Sequence, residues 1–368
     1  MTLAIADDVP LAPLTTLQLG GPARHLAVVT DEAELVQALA WARAHDQPVL
    51  VLGGGSNLVV GDRGFDGLVI RMANRGISFV NDGSVQRVWV AAGEPWDQVV
   101  AEAVERDLAG IECLSGIPGL AGATPIQNVG AYGQEVSDSI RAVRVLDRQT
   151  LNVSDLPPER CGFAYRDSLF KRQPDRWVVL GVTFHLLRGG APVIRYRELE
   201  QALTGAGAGG TARRSQPTLA EVRETVLRLR RAKSMVIDPA DVNRHSAGSF
   251  FMNPILPAGE VERLVERWRA AGLVAPAETV PQFAAPATGT AESARDRVKL
   301  SAAWLIERAG FSKGFRRGAV GISTRHALAL VHHGGGTTAE LLALADLVQG
   351  TVEQRLGVRL AREPVVVC

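Results

Sequence analysis

The hydrophobic pattern changes period along the chain, and each change marks an element. Residues 47–52 (QPVLVL) form a short apolar run that predicts a buried strand. Residues 58–72 (LVVGDRGFDGLVIRM) alternate and turn, which predicts more strands, and residues 86–93 (QRVWVAAG) add another. Residues 140–146 and 177–187 read the same way. Helical spacing follows Thr30, a candidate cap: Asp31 and Glu32 fill the first turn, then Leu35, Leu39 and Ala42 recur. Pro95 opens a second helix, carried to residue 108 by Val99, Val100, Ala103 and Val104. In a third, over residues 219–233, Arg223, Arg228, Arg230, Arg231 and Lys233 ride on Val222, Val226 and Leu229. Residues 300–309 and 338–356 are helical by period. Residues 12–28 predict a turn at Gly20, Gly21 and Pro22 leading into a strand; residues 327–332 predict another, and the last lies near Glu363. Residues 205–215 (GAGAGGTARRS) predict a linker, and residues 276–296, rich in Pro, Ala and Thr, a loop.

Two glycine-rich stretches interrupt this pattern. The longer, residues 114–133 (LSGIPGLAGATPIQNVGAYG), spaces Gly116, Gly119, Gly122, Gly130 and Gly133 through an almost uncharged segment. Glycine allows positive φ and close approach to the main chain, at a cost in conformational entropy. Ile117, Leu120, Ile126 and Val129 mark the stretch as packed, while Thr124, Gln127 and Asn128 add short polar groups. It reads as a cradle whose backbone N–H groups face a phosphate or a flat polar ring. The alternative is a series of tight turns between packed strands. The shorter stretch, residues 53–57 (GGGSN), follows the first apolar run. A dinucleotide fingerprint would need a glycine where Leu58 stands and a helix next, so neither that motif nor a P-loop fits. What remains is a phosphate loop set between strands, or a hairpin turn.

At 368 residues the length suggests two or three domains, and a hydrophobic content of 46% is ample for cores. Net charge is +1 without a basic block, which argues against a nucleic-acid or membrane-surface binder. No apolar run approaches the roughly 20 residues of a membrane helix. The start carries Asp7 and Asp8 and no basic region, unlike a signal peptide. Cys113, Cys161 and Cys368 are widely separated and read as reduced thiols of a cytosolic protein. There is no CxxC, HExxH or GxSxG, so metal chemistry and a hydrolase triad are not expected.

Arg166 and Asp167 sit among aromatics in CGFAYRDSLFK, residues 161–171. A buried Arg there must meet a carboxylate, a phosphate or a substrate acid, unless it forms a surface pair with an acid such as Asp167. Arg230 and Lys233, near the end of the basic helix, could wall an anion site. Ser249 offers a hydroxyl in AGSFFMNP, residues 247–254.

These motifs resemble the UDP-N-acetylenolpyruvoylglucosamine reductases. TTLQLGGPA, VLGGGSNLVV, GIPGLAGATPIQNVGAYG, CGFAYRDSLFK, AGSFFMNP, AAWLIERAGF and LAREPVVV span residues 15–367 in that family's order. The resemblance implies an α+β protein: a flavin-binding fold of the vanillyl-alcohol-oxidase type in two subdomains, plus a C-terminal α/β substrate-binding domain. The subdomains would be residues 1–75 and 76–216, the latter completed by 357–368, with residues 217–356 holding substrate. It implies non-covalent FAD, with its diphosphate on Gly53, Gly54, Gly55, Ser56 and Asn57. The isoalloxazine would lie near Ser115, Gly116, Ile117 and Pro118, then Gly122, Ala123 and Thr124, then Gln127 and Asn128, and finally Gly130, Ala131 and Tyr132. NADPH would be the co-substrate and a UDP-sugar the substrate, in a cytoplasmic monomer of cell-wall synthesis with no nucleic-acid or membrane partner.

By the same resemblance the catalytic positions fall on Arg166, Ser249 and Glu363. In the subclass with an extra tyrosine-bearing loop, that tyrosine falls on Tyr196. Arg230, Lys233 and Asn253 match substrate-side positions, while Met252 stands where the family often has Lys. Negative charge would develop at C2 of the enolpyruvyl group, so catalysis should concentrate on Arg166 at the carboxylate, Glu363 beside it, and Ser249 as proton donor. Two other readings are an alcohol or sugar oxidase with tethered FAD, which a His in a glycine loop would favour, and a non-catalytic nucleotide binder.

Overall fold

A computed structural model describes residues 3–204, 216–285 and 296–367. The linker expected at residues 205–215, Cys368 and residues 286–295 of the loop expected at 276–296 lie outside the described residues. The chain divides into two compact units. The first is Met1–Val9, Pro22–Gly55 and Phe65–Ile237; the second is Pro10–Gly21, Ser56–Gly64 and Asp238–Cys368.

Two large sheets frame the main core of the first unit. Pro22–Val29, Phe65–Met72 and Val49–Leu52 lie parallel, with Ile5–Pro10 at the edge. The helix Glu32–Ala44 crosses this sheet and buries Leu35, Ala38, Leu39 and Ala42 on one face. Its cap is Asp31, one residue later than expected: Asp31 Oδ1 accepts the Glu34 N–H at 2.8 Å. Thr30 instead donates its N–H and hydroxyl to Glu34 Oε2, which closes the same turn from outside. The second sheet is antiparallel, and the 12-residue strand Trp177–Arg188 runs through its middle. Val178 to Val182 are buried on both faces of that strand; beyond them Phe184 and Leu186 are buried while Thr183 and His185 are less so, as a strand with one face on a core requires. Trp96–Glu105 is the helix expected after Pro95.

The second unit is built on a four-stranded sheet, Ser246–Ser249, Ala329–His332, Val320–Ile322 and Arg316–Arg317. The helix Thr338–Leu356 buries Leu341, Leu344, Ala345, Val348 and Val352 at helical spacing. Thr337 caps it with Glu340 in a capping box, and Gly357 at φ +70° ends it. Asp62 accepts the Thr338 and Ala339 N–H groups at 2.7 and 2.9 Å, which ties residues 56–64 to this unit. The strand Gln282–Ala284 lies where loop was expected; with three residues, all exposed, it has no pattern to betray it.

Two boundaries differ from expectation. The helix Leu219–Ala232 belongs to the first unit, because Val222 and Val226 pack with Cys113 and Leu199 and Arg223 pairs with Asp97. The last strand, Val365–Val367, pairs in parallel with Leu58–Val60 in the second unit, not with the sheet of residues 76–216. No helix among the described residues is long and apolar enough to cross a membrane.

Candidate active site

The first unit carries most of the expected site residues. Val49–Leu52 runs into Gly53, Gly54 and Gly55. Among the described residues, the N–H groups of these three glycines meet no protein acceptor. Gly55 is nonetheless buried and holds φ +61°. Buried amides are almost always paired, so an unpaired row at a turn fits an anion such as a diphosphate. A Cβ on Gly53 would meet nothing closer than Leu120 Cδ1 at 3.9 Å, so that side is open. Gly54 lies backbone to backbone with the longer stretch: a Cβ there would stand 2.9 Å from Gly119 Cα.

The longer stretch is closed rather than open. Ala121 and Gly122 donate N–H groups to Glu94 and Ala92 carbonyls at 2.8 and 2.9 Å. A Cβ on Gly122 would fall 2.4 Å from Ala92 Cβ. Ala121–Ala123 forms a short 3-10 turn, and the buried Thr124 hydroxyl donates to Ala121 O. Ser115, also buried, donates its hydroxyl to Glu112 O at 2.7 Å. Asn128 sits at φ +43° with its side chain fully engaged: Nδ2 donates to Glu135 Oε2 and Ala164 O, and Oδ1 accepts the Ser137 N–H. The side chains of Ser115, Thr124 and Asn128 therefore hold the loop, and their backbone N–H groups are bonded within the protein as well, to the Glu112, Ala121 and Pro125 carbonyls. Ile117 packs against the unit's core, and Gln127 is half-buried. Gly130 and Ala131 pair with Glu135 and Gln134 in a small hairpin.

Arg166 reaches this hairpin. Its Nη2 donates to Gly130 O at 2.7 Å and its Nη1 to Asn128 O at 3.4 Å. Its backbone holds φ +53°, an unfavourable region for a bulky residue and one that clusters at functional sites. Its neighbour Asp167 pairs with Arg172.

Arg230, Lys233, Tyr132 and Tyr196 gather beside the same loop. Arg230 is buried, its Nη2 donates to Met235 O, and its Nε has no partner among the described residues. Burial pulls its pKa down to about 10, opposed by Tyr132 and Asp97 and reinforced by Arg166. Burial pushes the Tyr132 hydroxyl up to about 12. Tyr132 meets Tyr196 edge to face with ring centres 5.6 Å apart. Lys233 Nζ lies 6.0 Å from the Tyr132 ring centre and 2.7 Å from Glu198 Oε2. Arg230 and Lys233, with Arg166 near enough to act on Arg230, thus line a site with a buried, unmet donor, which suits an anionic ligand. Cys113 is buried and its thiol is pushed up to about 12, which leaves it an inert, protonated side chain.

The second unit brings together Ser249, Glu363 and Asn57. Ser249 ends the strand Ser246–Ser249, opposite Ala329. The chain then buries Phe250 and Phe251 and pairs with the C-terminal segment: Glu363 N donates to Phe250 O at 3.0 Å and Met252 N to Ala361 O at 2.9 Å. Glu363 is thereby fixed beside the residue after Ser249. Asn57 Nδ2 donates to Glu363 O at 3.3 Å and Asn57 O accepts the Val365 N–H. Ser56 begins this segment. Asn253, expected on the substrate side, accepts the Ala302 N–H through Oδ1 at 2.9 Å, so that oxygen anchors the helix Ala302–Arg308.

Sequence reasoning missed Asp97. It accepts the Gly116 N–H at 2.6 Å and both Nη groups of Arg223 at 2.6 and 2.9 Å. Nothing local flags a pair 126 positions apart. The one hint is an acid in the first turn of a helix that precedes the glycine stretch.

Residues 238–367 match the C-terminal domain of UDP-N-acetylenolpyruvoylglucosamine reductase, and residues 23–150 match an FAD binding domain. The chain is 48% identical over 369 residues to the UDP-N-acetylenolpyruvoylglucosamine reductase of Thermobifida fusca, covering 100% of this chain and 99% of that protein. It is 52% identical over 363 residues to the protein of that name from Saccharopolyspora erythraea, covering 97% and 94%. Among solved structures it is similar to the UDP-N-acetylenolpyruvylglucosamine reductase of Thermus caldophilus, with TM-score 0.63, 26% identity, and 100% and 99% of the two chains covered.

Proposed function

The chain belongs to the UDP-N-acetylenolpyruvoylglucosamine reductase family, and from that premise we propose which of its residues carry the reaction. It is an FAD-dependent oxidoreductase with the α+β flavin-binding fold of the vanillyl-alcohol-oxidase type. It reduces UDP-N-acetylglucosamine enolpyruvate to UDP-N-acetylmuramate with NADPH, in peptidoglycan precursor synthesis. Bound FAD supplies the hydride carrier between NADPH and the terminal CH₂ carbon of the enolpyruvyl ether.

The row of glycine amides without protein acceptors after Val49–Leu52 supports a diphosphate there more than any other observation. In this reading residues 53–57 bind the diphosphate and the backbone of residues 115–132 faces the isoalloxazine. Arg166 binds the substrate carboxylate with its fixed fork of donors as charge develops. Glu363 polarises that acid or orients Arg166. Ser249 delivers the proton to C2; a hydroxyl is a weak acid and suits a strongly basic carbon. Arg230, Lys233, Tyr196 and Asn253 bind the anionic UDP-sugar. FAD is non-covalent, consistent with the inert Cys113 thiol. The protein acts in the cytoplasm as a monomer without nucleic-acid or membrane partners, and its product serves cell shape and division.

The test separates the half-reactions by stopped flow. Ser249→Ala is expected to leave flavin reduction by NADPH nearly intact and slow substrate reduction by about 10² to 10⁴, the usual worth of a general acid. Equal slowing of both halves would make Ser249 structural.

A further inference from the structure

One carboxylate joins the glycine stretch to the helix that carries Arg230. Asp97 Oδ1 accepts both the Gly116 N–H and Arg223 Nη1–H at 2.6 Å, and Oδ2 accepts Arg223 Nη2–H at 2.9 Å. A two-pronged guanidinium–carboxylate pair fixes orientation as well as distance. Arg223 and Arg230 are seven residues apart on the helix Leu219–Ala232, two turns along one face. That face presses on Gly116, which stands at φ +71°: a Cβ there would meet Leu227 Cδ2 at 2.7 Å and come within 3.5 Å of Arg230 Nε. The Gly116 turn is therefore gripped from the helix side, once through Asp97 and once by direct packing.

Arg230 is the group on that helix suited to hold an anion. Its buried Nε is unmet, and Lys233 is its cationic neighbour at the helix end. Arg223 is engaged by Asp97 and Lys233 by Glu198, so Arg230 keeps donor capacity for a ligand. A helix of 14 residues moves as a rigid piece, and its displacement reaches Gly116 through whatever ties the two together.

We infer that Asp97 and Arg223 are positioning residues that lock the Arg230 helix to the Gly116 turn, so that an anion held by Arg230 is sensed at the flavin. The inference rests on the reading that residues 115–132 face the isoalloxazine. Because such coupling is reciprocal, the state of the flavin also alters how tightly the anion is held.

The test titrates UDP, which has the diphosphate but no enolpyruvyl group, into the oxidised holoenzyme and follows the visible flavin difference spectrum. The wild type is expected to show a saturable perturbation. Asp97→Asn and Arg223→Gln are expected to lose most of that amplitude at saturation. Arg223→Lys keeps the charge without the fork and should recover part of it. Glu102→Gln breaks an ordinary ion pair on the helix that carries Asp97, and should keep full amplitude. Full amplitude in both Asp97→Asn and Arg223→Gln, equal loss in Glu102→Gln, or a flavin in the wild type blind to UDP would overturn the coupling alone. A wild-type protein without bound flavin would overturn the reading beneath it as well.

Discussion

The two glycine stretches of the first unit use the same residue for opposite ends. At residues 53–55 the amides are left without protein acceptors, and a side chain at Gly53 would enter open space. At residues 116–133 most amides are bonded within the protein, and a Cβ at Gly116, Gly122 or Gly133 would strike Leu227, Ala92 or Arg195 within 3 Å. The first stretch keeps its backbone for a ligand; the second lets backbone and side chains pack against it. Glycine content alone does not separate these uses. What separates them is where the hydrogen bonds go and what a methyl group would meet.

The contrast predicts different outcomes for the same kind of substitution. Gly122→Val should be the most damaging. Its Cβ is already 2.4 Å from Ala92 Cβ, and overpacking of this kind typically costs about 1–3 kcal/mol. Thermal unfolding without added FAD should show a clearly lowered midpoint; an unchanged one would refute the closed reading of this loop. Gly53→Ala should change the stability of the flavin-free protein by no more than about 0.5 kcal/mol, as an unpacked surface change does. FAD affinity should nevertheless drop about tenfold, roughly 1.4 kcal/mol, because the methyl occupies the ligand's side of the turn. Calorimetry with FAD checks this, and equal affinities would remove the open reading.

The smallest effect concerns pH. Burial alone would raise the Asp97 pKa, but the Arg223 hydrogen bonds, the Gly116 N–H and the nearby Arg230 together hold it below its usual value. A lowered carboxylate stabilises the fold fully above its unfolded value of about 3.9, and that contribution is lost as pH falls through the lowered folded value. Urea midpoints measured from pH 5 downward should fall in the wild type and fall less steeply in Asp97→Asn. Parallel curves would show that Asp97 holds Gly116 without its charge.

Local chemistry was legible where one element satisfied itself. The helix Thr338–Leu356 has its apolar stripe and capping box in contiguous sequence, and its limits follow from them. The cap at Asp31 was misplaced by one position because Thr30 is an equally good capping residue, and Glu34 binds both. Arg166 could be flagged as a charge needing a partner, but its partners include the carbonyls of Asn128 and Gly130, which composition cannot name.

By itself the sequence determined the succession of strands and helices, the two glycine stretches and the families of motif they belong to, because these depend on neighbours a few residues apart. Only the tertiary structure decided that the Arg230 helix belongs with the first unit, that the last strand joins Leu58–Val60, and that Asp97 grips Gly116. Asp97 and Gly116 stand 19 positions apart, Arg223 and Asp97 126, and Val365 pairs with Leu58 from the far end of the chain; such contacts are made or lost by geometry that no local pattern encodes.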